Sequence, residues 1–257
     1  MPEITLYVEE LKSMKNYPKS LEYSGNLELL KYKKISIIGS RKPTKYSRMM
    51  TQKLASALAR NGICIVSGGA MGIDALAHSS ATSSKTIAVL PCGVNVRYPA
   101  VNKNLLNEIE KNGLLLSQFD TNAKARPWSF VVRNELVVAL GDVLVVGEAE
   151  LDSGSMRSVE FALKMKKKIY VFPQRLGESS ATNELLKKGL AEAIYDIDEF
   201  VQIFFGVEAL HVEGDKFTEF CKNNPTYEEA LKRYPTKVFE AELSGNIKIE
   251  NGLIYSL

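Results

Sequence analysis

Histidine is scarce. The 257-residue chain has two, His78 and His211, so a Ser-His-Asp hydrolase triad is improbable. There is no H-E-x-x-H and no clustered Cys/His set, and no metal or cofactor is expected. Cys64, Cys92 and Cys221 lie far apart and form no C-x-x-C pair. Two of them sit in or just after apolar runs, so they read as buried free thiols in a reducing cytoplasm. No stretch approaches the roughly 18 apolar residues of a membrane span. Met1-Pro2-Glu3-Ile4 has neither the basic nor the apolar region of an export signal. A cytoplasmic protein without a membrane partner is the expectation. Internal repeats and low-complexity segments are also absent.

What is present is the composition of an ordinary globule, 45% hydrophobic and 25% charged, long enough for one large domain plus a small one. The net charge of +3 is unevenly spread: residues 1–206 carry +6 and residues 207–257 carry −3. The first part favours polyanions and the tail does not.

The pattern from residue 34 alternates. Ile35–Ile38, Ile63–Val66, Thr86–Leu90, Leu114–Leu116, Val143–Val146 and Ile169–Phe172 read as strands, with 169–172 the last clear one. Helices are expected over about 46–60, from 75, over 101–111, up to 164–168, over 183–188 and over 197–205. Phe130–Leu140 suits strand or helix by composition, and Arg133, Asn134 and Glu135 in its middle favour a helix packed on both sides. Near-continuous Ile/Val/Leu strands separated by helices indicate an α/β fold with a doubly wound, mostly parallel sheet covered on both faces. Residues 1–33 are a helix-leaning lead-in broken at Tyr17-Pro18, with a turn at Ser24-Gly25-Asn26. Residues 34–205 form the main domain and 206–215 a linker. In 216–257 a helix over 226–233, a second from 238, Gly245 and 247–255 suggest a small winged-helix-like unit.

Right-handed crossovers put every strand-to-helix loop on one edge, where open α/β sheets bind ligands. The central loop is Ser67-Gly68-Gly69-Ala70-Met71-Gly72-Ile73-Asp74. Its G-G-x-x-G spacing is neither the dinucleotide fingerprint nor a Walker A. Gly68 and Gly69 allow a sharp turn and close approach to a phosphate, and a turn without a ligand explains them as well. Gly39, Ser40, Arg41 and Lys42 end the first strand, and no acid occurs from Gly39 to Met50. Arg97, Lys124, Arg126, Arg133, Arg157 and Arg175 add cations, and Tyr98, Trp128 and Phe130 place aromatics among them. Single-strand binders combine basic grooves with stacking rings in this way. A solvated basic surface over core aromatics is the plainer alternative.

Catalytic constellations are thin. His78 suits packing, and Asp74 suits helix capping or a ribose contact. Glu160, past Ser153-Gly154-Ser155, is the one enzymatic candidate, for glycosidic cleavage in a nucleotide. A surface acid near a helix N-terminus is the plainer reading of it.

Taken together these motifs resemble the DNA-processing protein A (DprA/Smf) family of natural transformation. The matching segments run in order: Tyr17-Pro18, Gly39-Ser40-Arg41, Ser67–Asp74 with His78, Leu90–Gly93 with Tyr98-Pro99 and Asn102, and Phe130 with Arg133-Asn134. Ser153-Gly154-Ser155 and Ser179 with Thr182-Asn183 complete the series. The resemblance covers about residues 17–200, and the tail resembles the family's winged-helix-like domain. It implies a Rossmann-like core and a homodimer that binds single-stranded DNA and helps load the RecA recombinase, without turnover, metal or cofactor. Carried over, Arg41 anchors phosphate, the Gly68-Gly69 turn offers N–H groups, Phe130 stacks on a base, and Arg133 and Asn134 line the groove. Glu135 stands where a second arginine is common, and Ala181 replaces a usual glycine. A hydrolase similar to the lysine-decarboxylase-like (LOG) phosphoribohydrolases, with Glu160 as acid, is the alternative. Arg157-Ser158 stands there in place of that group's Gly-Thr. A small-nucleotide sensor on the same edge is the third reading.

Overall fold

The computed structural model describes residues 8–15, 17–81, 84–205, 216–221, 225–243, 246–250 and 252–256. The N-terminal residues 1–4, the linker expected at 206–215, His211 and Gly245 lie outside them. Two compact units result, Met1–Val201 and Gln202–Leu257.

The first unit is built on an eight-stranded sheet. Its strands are β1 (Glu22–Gly25), β2 (Lys34–Ile38), β3 (Cys64–Ser67), β4 (Thr86–Val89), β5 (Leu114–Ser117), β6 (Val143–Val146), β7 (Ile169–Val171) and β8 (Glu192–Ala193). They lie in the order β1-β5-β4-β3-β2-β6-β7-β8. All pairs are parallel except β1 with β5, and Ile37 sits opposite Val145 across β2 and β6.

The helices are α1 (Lys45–Arg60), α2 (Ile73–Ser80), α3 (Lys103–Asn112), α4 (Pro127–Leu140), α5 (Ser155–Lys164) and α6 (Ser180–Lys187), with α7 (Ile197–Phe205) after β8. Helices α1 to α3 pack on one another along the β2-to-β5 run, whereas α4 packs on α5 and returns the chain from β5 to β6. Reversing the direction of travel with right-handed crossovers puts a helix on the opposite face. The strand residues alternate accordingly. Ala88, Leu90 and Leu115 join Leu106 and Ile109 of α3, while Ile87, Val89, Leu114 and Leu116 join Leu136–Leu140 of α4. All five residues of that α4 run are buried, as expected of a helix enclosed between layers.

The lead-in departs from the helix-leaning expectation. It consists of 3-10 turns at Glu9–Ser13 and Leu27–Lys31 flanking the edge strand β1. Ser24 and Gly25 belong to that strand, paired with Leu115 and Leu114, instead of forming a turn. A four-residue strand on an open edge is specified by its partner and leaves little local signature. Val8, Leu11, Met14, Leu21 and Leu29 then enter the main core. Other differences are at ends: α6 starts at Ser180, three residues before the expected helix, and β8 follows β7.

The second unit contains α8 (Lys216–Cys221), α9 (Tyr227–Arg233), α10 (Pro235–Leu243) and the antiparallel hairpin β9 (Ile247–Glu250) and β10 (Leu253–Ser256). Phe217, Cys221, Ala230, Val238, Ile247 and Ile254 form its own small core. Reciprocal bonds start α9: Glu229 N–H donates to Thr226 Oγ1 at 3.3 Å, and Thr226 N–H to Glu229 Oε2 at 3.1 Å.

Candidate nucleic-acid interface

The chain leaves β2 toward β3 on one side while β6 lies on the other, so the loops after β2 and β6 diverge. A crevice opens at such a switch point, outside the carboxyl ends of the strands. Here it is a cleft of about 480 Å³. Gly39, Ser40 and Arg41 form one wall, and Glu150, Ser153, Gly154, Ser155 and Arg157 the other. Ala70 and Asp74 after β3, and Phe130, Val131, Arg133 and Asn134 of α4, complete it. A smaller hollow of about 40 Å³ adjoins, between Arg41, Gly68, Met71, Pro91, Tyr98 and Phe130.

Close backbone packing sets the Arg41 wall. Ile73 N–H donates to Ser40 O at 3.0 Å, and Ser40 N–H to Glu148 O at 2.8 Å. Glu148 in turn accepts from Thr44 N–H and Thr44 Oγ1–H, both at 2.8 Å, which fixes the start of α1. Arg41 itself is exposed, has no ion pair with a described residue, and holds its guanidinium carbon 5.9 Å from the Phe130 ring centre. Phe130 is steadied by Tyr98, edge-on at 5.6 Å. The helix carrying Phe130 is pinned at its start, where Ser129 Oγ–H donates to Pro91 O at 2.6 Å and accepts from Arg126 N–H at 3.0 Å. An exposed cation above a half-buried ring, beside a wall of backbone and hydroxyl groups, offers a phosphate anchor next to a stacking face.

The glycine turn is the floor. Asn102 Nδ2–H braces it, donating to Gly69 O at 2.9 Å and Ala70 O at 3.0 Å. Beneath it lies Arg133, 4% exposed, which donates to Gly68 O and, at 2.9 Å, to Val89 O. Its Nε–H donates to Asn134 Oδ1 at 3.0 Å. Asp74 is also buried, and its carboxylate accepts from Ala70 N–H at 3.3 Å. It therefore closes the turn on itself instead of capping α2, whose N-cap is Gly72 and has no side-chain cap bond. Burial pushes the Asp74 carboxyl above the ordinary carboxylate value, against the pull of the Arg133 charge. Burial likewise lowers Arg133, with Asp74 opposing.

His78 is a buried packing residue whose ring bonds Thr86 Oγ1 through Nδ1 at 2.7 Å. Burial, reinforced by the Arg133 charge, holds its pKa down to about 3. An unfolded-chain imidazole titrates near 6.5, so as pH falls the unfolded state takes up the proton first. The stability from this group is complete above about pH 6.5 and is lost below it, by about 2 kcal/mol at pH 5. Urea unfolding at pH 7 and pH 5 is expected to show that loss in the wild type and to lack it in His78→Gln. An equal loss in both would remove His78 as its source.

The structure brings together Gly39, Ser40, Arg41, Phe130, Arg133, Asn134, Ser153, Gly154 and Ser155 around the main cleft, with Gly68 in the adjoining hollow. Others lie apart. Gly69 faces α3, where an added Cβ would meet Leu106 at 3.2 Å. Arg97 is engaged by Glu110, by Asn107 Oδ1 at 2.8 Å and by Val94 O. Lys42, Lys124 and Arg126 are exposed but line neither cavity. Glu135 accepts from Lys15 N–H at 3.1 Å and so braces the lead-in. Ala181 sits inside α6, and the left-handed conformation at that loop falls on Ser179. Arg157, one of the cations expected on this edge, lines the cleft, and Glu150, an acid with no motif around it, lines it too. Glu160, outside the lining, pairs with Arg157 at 3.1 Å.

The three cysteines are buried and form no disulfide, and burial raises the thiols of Cys64 and Cys92 to about 12 and 11. Among the described residues no group of three His, Cys, Asp or Glu converges as a metal set, and no helix is long and apolar enough to cross a membrane.

Comparison with known proteins matches both the fold and the sequence of the first unit. A structure describing the single-stranded DNA binding mode of DNA processing protein A from Helicobacter pylori superimposes with a TM-score of 0.78 at 42% identity, covering 80% of this chain and 95% of that one. The DNA processing protein A structure from Streptococcus pneumoniae gives 0.72 at 32%, covering 77% and 72%. By sequence, DNA processing proteins of S. pneumoniae and Bacillus subtilis are 34% and 32% identical over 71% and 75% of this chain. The chain spans 66% of the length of each of those two relatives. A molybdenum cofactor binding protein from Rippkaea orientalis shares the fold alone, at a TM-score of 0.50 and 16% identity. The family model for DNA recombination-mediator protein A matches residues 2–205, and the chain belongs to that family.

Proposed function

We propose that this chain binds single-stranded DNA in the cleft at the ends of β2, β3 and β6 and helps load the RecA recombinase during natural transformation. The observation that carries the reading is Arg41, exposed and without an ion partner among the described residues, held over the half-buried ring of Phe130. Arg41 anchors a phosphate, Phe130 stacks on a base, and Asn134 with Ser153–Ser155 line the track. Gly154 leaves the opposite wall open, since nothing lies within 4 Å of the Cβ it lacks. Lys42, Lys124 and Arg126 add to the positive field along the path, whereas Arg133 acts from below by holding the glycine turn. Backbone and stacking contacts carry no sequence code, so little base preference is expected.

The description of the H. pylori relative as a single-strand binder supports the substrate class, and the family's designation as a recombination mediator supports the RecA step. The active form is proposed to be a homodimer in the cytoplasm, with 216–257 as a winged-helix-like unit turned to protein contacts. Catalytic turnover has no part in this reading.

Fluorescence anisotropy of a labelled oligonucleotide across salt concentrations tests it. Affinity is expected to fall steeply with salt, by a log–log slope of about −0.7 per phosphate neutralised. Arg41→Ala is expected to remove most of the affinity and Phe130→Ala to cost about 1–3 kcal/mol. Unchanged binding in both variants would sink the site, and no wild-type binding at low salt would sink the function.

A further inference from the structure

A second cleft, of about 680 Å³, opens between the first turns of α1 and the loop that follows β7. It lies on the same strand-end edge and shares no lining residue with the Arg41 cleft. Thr44, which starts its lining, is three residues along the chain from Arg41, a reach of at most about 11 Å.

Its chemistry repeats that of the first cleft. Lys45 and Arg175 are exposed cations without an ion pair to a described residue. Tyr46, 38% exposed, supplies a ring, and Met49, 44% exposed, an adaptable apolar surface beside it. Glu178 is the one acid in the lining, which leaves an excess of positive charge. The floor is fixed, because Gln174 Nε2–H donates to Ser47 Oγ at 3.0 Å and to Gly147 O at 3.2 Å. Helix α1 contributes the positive end of its dipole here, and its first turn holds no acid. A hollow with cations at its rim and an exposed ring in its wall suits an anionic, aromatic ligand better than an apolar peptide.

We infer that this cleft is a second nucleotide subsite, taking the base and phosphate of a nucleotide further along the strand anchored at Arg41. The inference rests on the function proposed above. Tyr46 stacks on the base, and Lys45 and Arg175 hold the phosphate. Substituting Tyr46 or Arg175 leaves the fold intact, since both side chains project from the surface.

Oligo-dT of increasing length, titrated by anisotropy, tests it. Short strands that fill only the first cleft are expected to bind the wild type and the Tyr46→Ala/Arg175→Gln pair equally, and to lose binding in Arg41→Ala. On long strands the wild type gains affinity with length, and the double variant lacks about tenfold of it. Arg175→Gln alone lowers the salt slope on long strands by about 0.7, and Tyr46→Phe keeps the wild-type length dependence. If Arg41→Ala abolishes binding while the double variant follows the wild type at every length, the subsite is refuted and the first cleft stands. Equal weakening at every length refutes it too. Absence of any wild-type binding refutes both readings.

Discussion

Replacing Gly72 with alanine is expected to cost about 3 kcal/mol or more of folding stability, the sum of backbone strain and overpacking. Gly72 has φ +78°, a region side chains avoid, and an added Cβ would lie 2.2 Å from Ser40 O and 2.6 Å from the Arg41 carbonyl carbon. Both are backbone atoms, so no rotamer change relieves the clash. The loop has to move, and Arg41 moves with it. Urea unfolding reads the stability loss, and anisotropy at a temperature where the variant is folded should show weakened oligonucleotide binding. Gly154→Ala is the control: an added Cβ there meets nothing within 4 Å, and the expected cost is at most about 1 kcal/mol, that of a weaker N-cap. A wild-type unfolding midpoint for Gly72→Ala would show that the β2 loop is not held as described.

Arg133→Met carries the second large effect, about 3–5 kcal/mol, the cost of breaking a buried charge arrangement by removing one partner. Gly68 shows how tightly the arrangement is built. A Cβ at that residue would stand 2.3 Å from Arg133 Nη1 and 2.7 Å from Asp74 Oδ2, so guanidinium and carboxylate flank the glycine directly. Methionine fills the stem's volume but leaves Gly68 O and Val89 O without their donor and Asp74 without its counter-charge. Adding Asp74→Asn should then cost less than it does in the wild type, with a coupling of about 1 kcal/mol or more in a double-mutant cycle. Additive losses would mean that the two charges do not depend on each other. The same experiment separates floor from ligand. A phosphate-binding arginine lowers affinity and leaves stability alone, whereas Arg133 is expected to lower stability first.

Arg97 and Arg41 illustrate how far the site was legible. Both are arginines in loops at strand ends, and residue by residue they look alike. Folding engages Arg97 with Glu110, thirteen positions on and one turn beyond Asn107, and leaves Arg41 facing a ring almost ninety residues away. Arg133 is a third case. The family resemblance implies a groove wall for it, and it does line the cleft, but its guanidinium is spent on Gly68 O and Val89 O. Glycines divided in the same way. A Cβ at Gly72 would meet the Ser40–Arg41 backbone, while one at Gly69 would meet only the side-chain tips of Leu106 and Leu90.

The layer architecture, the alternation of strands and helices from residue 34, the burial of the cysteines and the run of cations in the strand-end loops are legible in the amino-acid sequence. These follow from local signals, namely hydrophobic period, glycine and proline stops, and charge counts over short windows. Tertiary structure alone decided that β1 adds to the β5 edge, that β2 and β6 are neighbours and so open the cleft between their loops, and which cations remain free to meet a ligand. Strand order joins residues about a hundred positions apart, and the pairing of Arg97 with Glu110 joins a loop to a separate helix, so neither leaves a period for a local window to register.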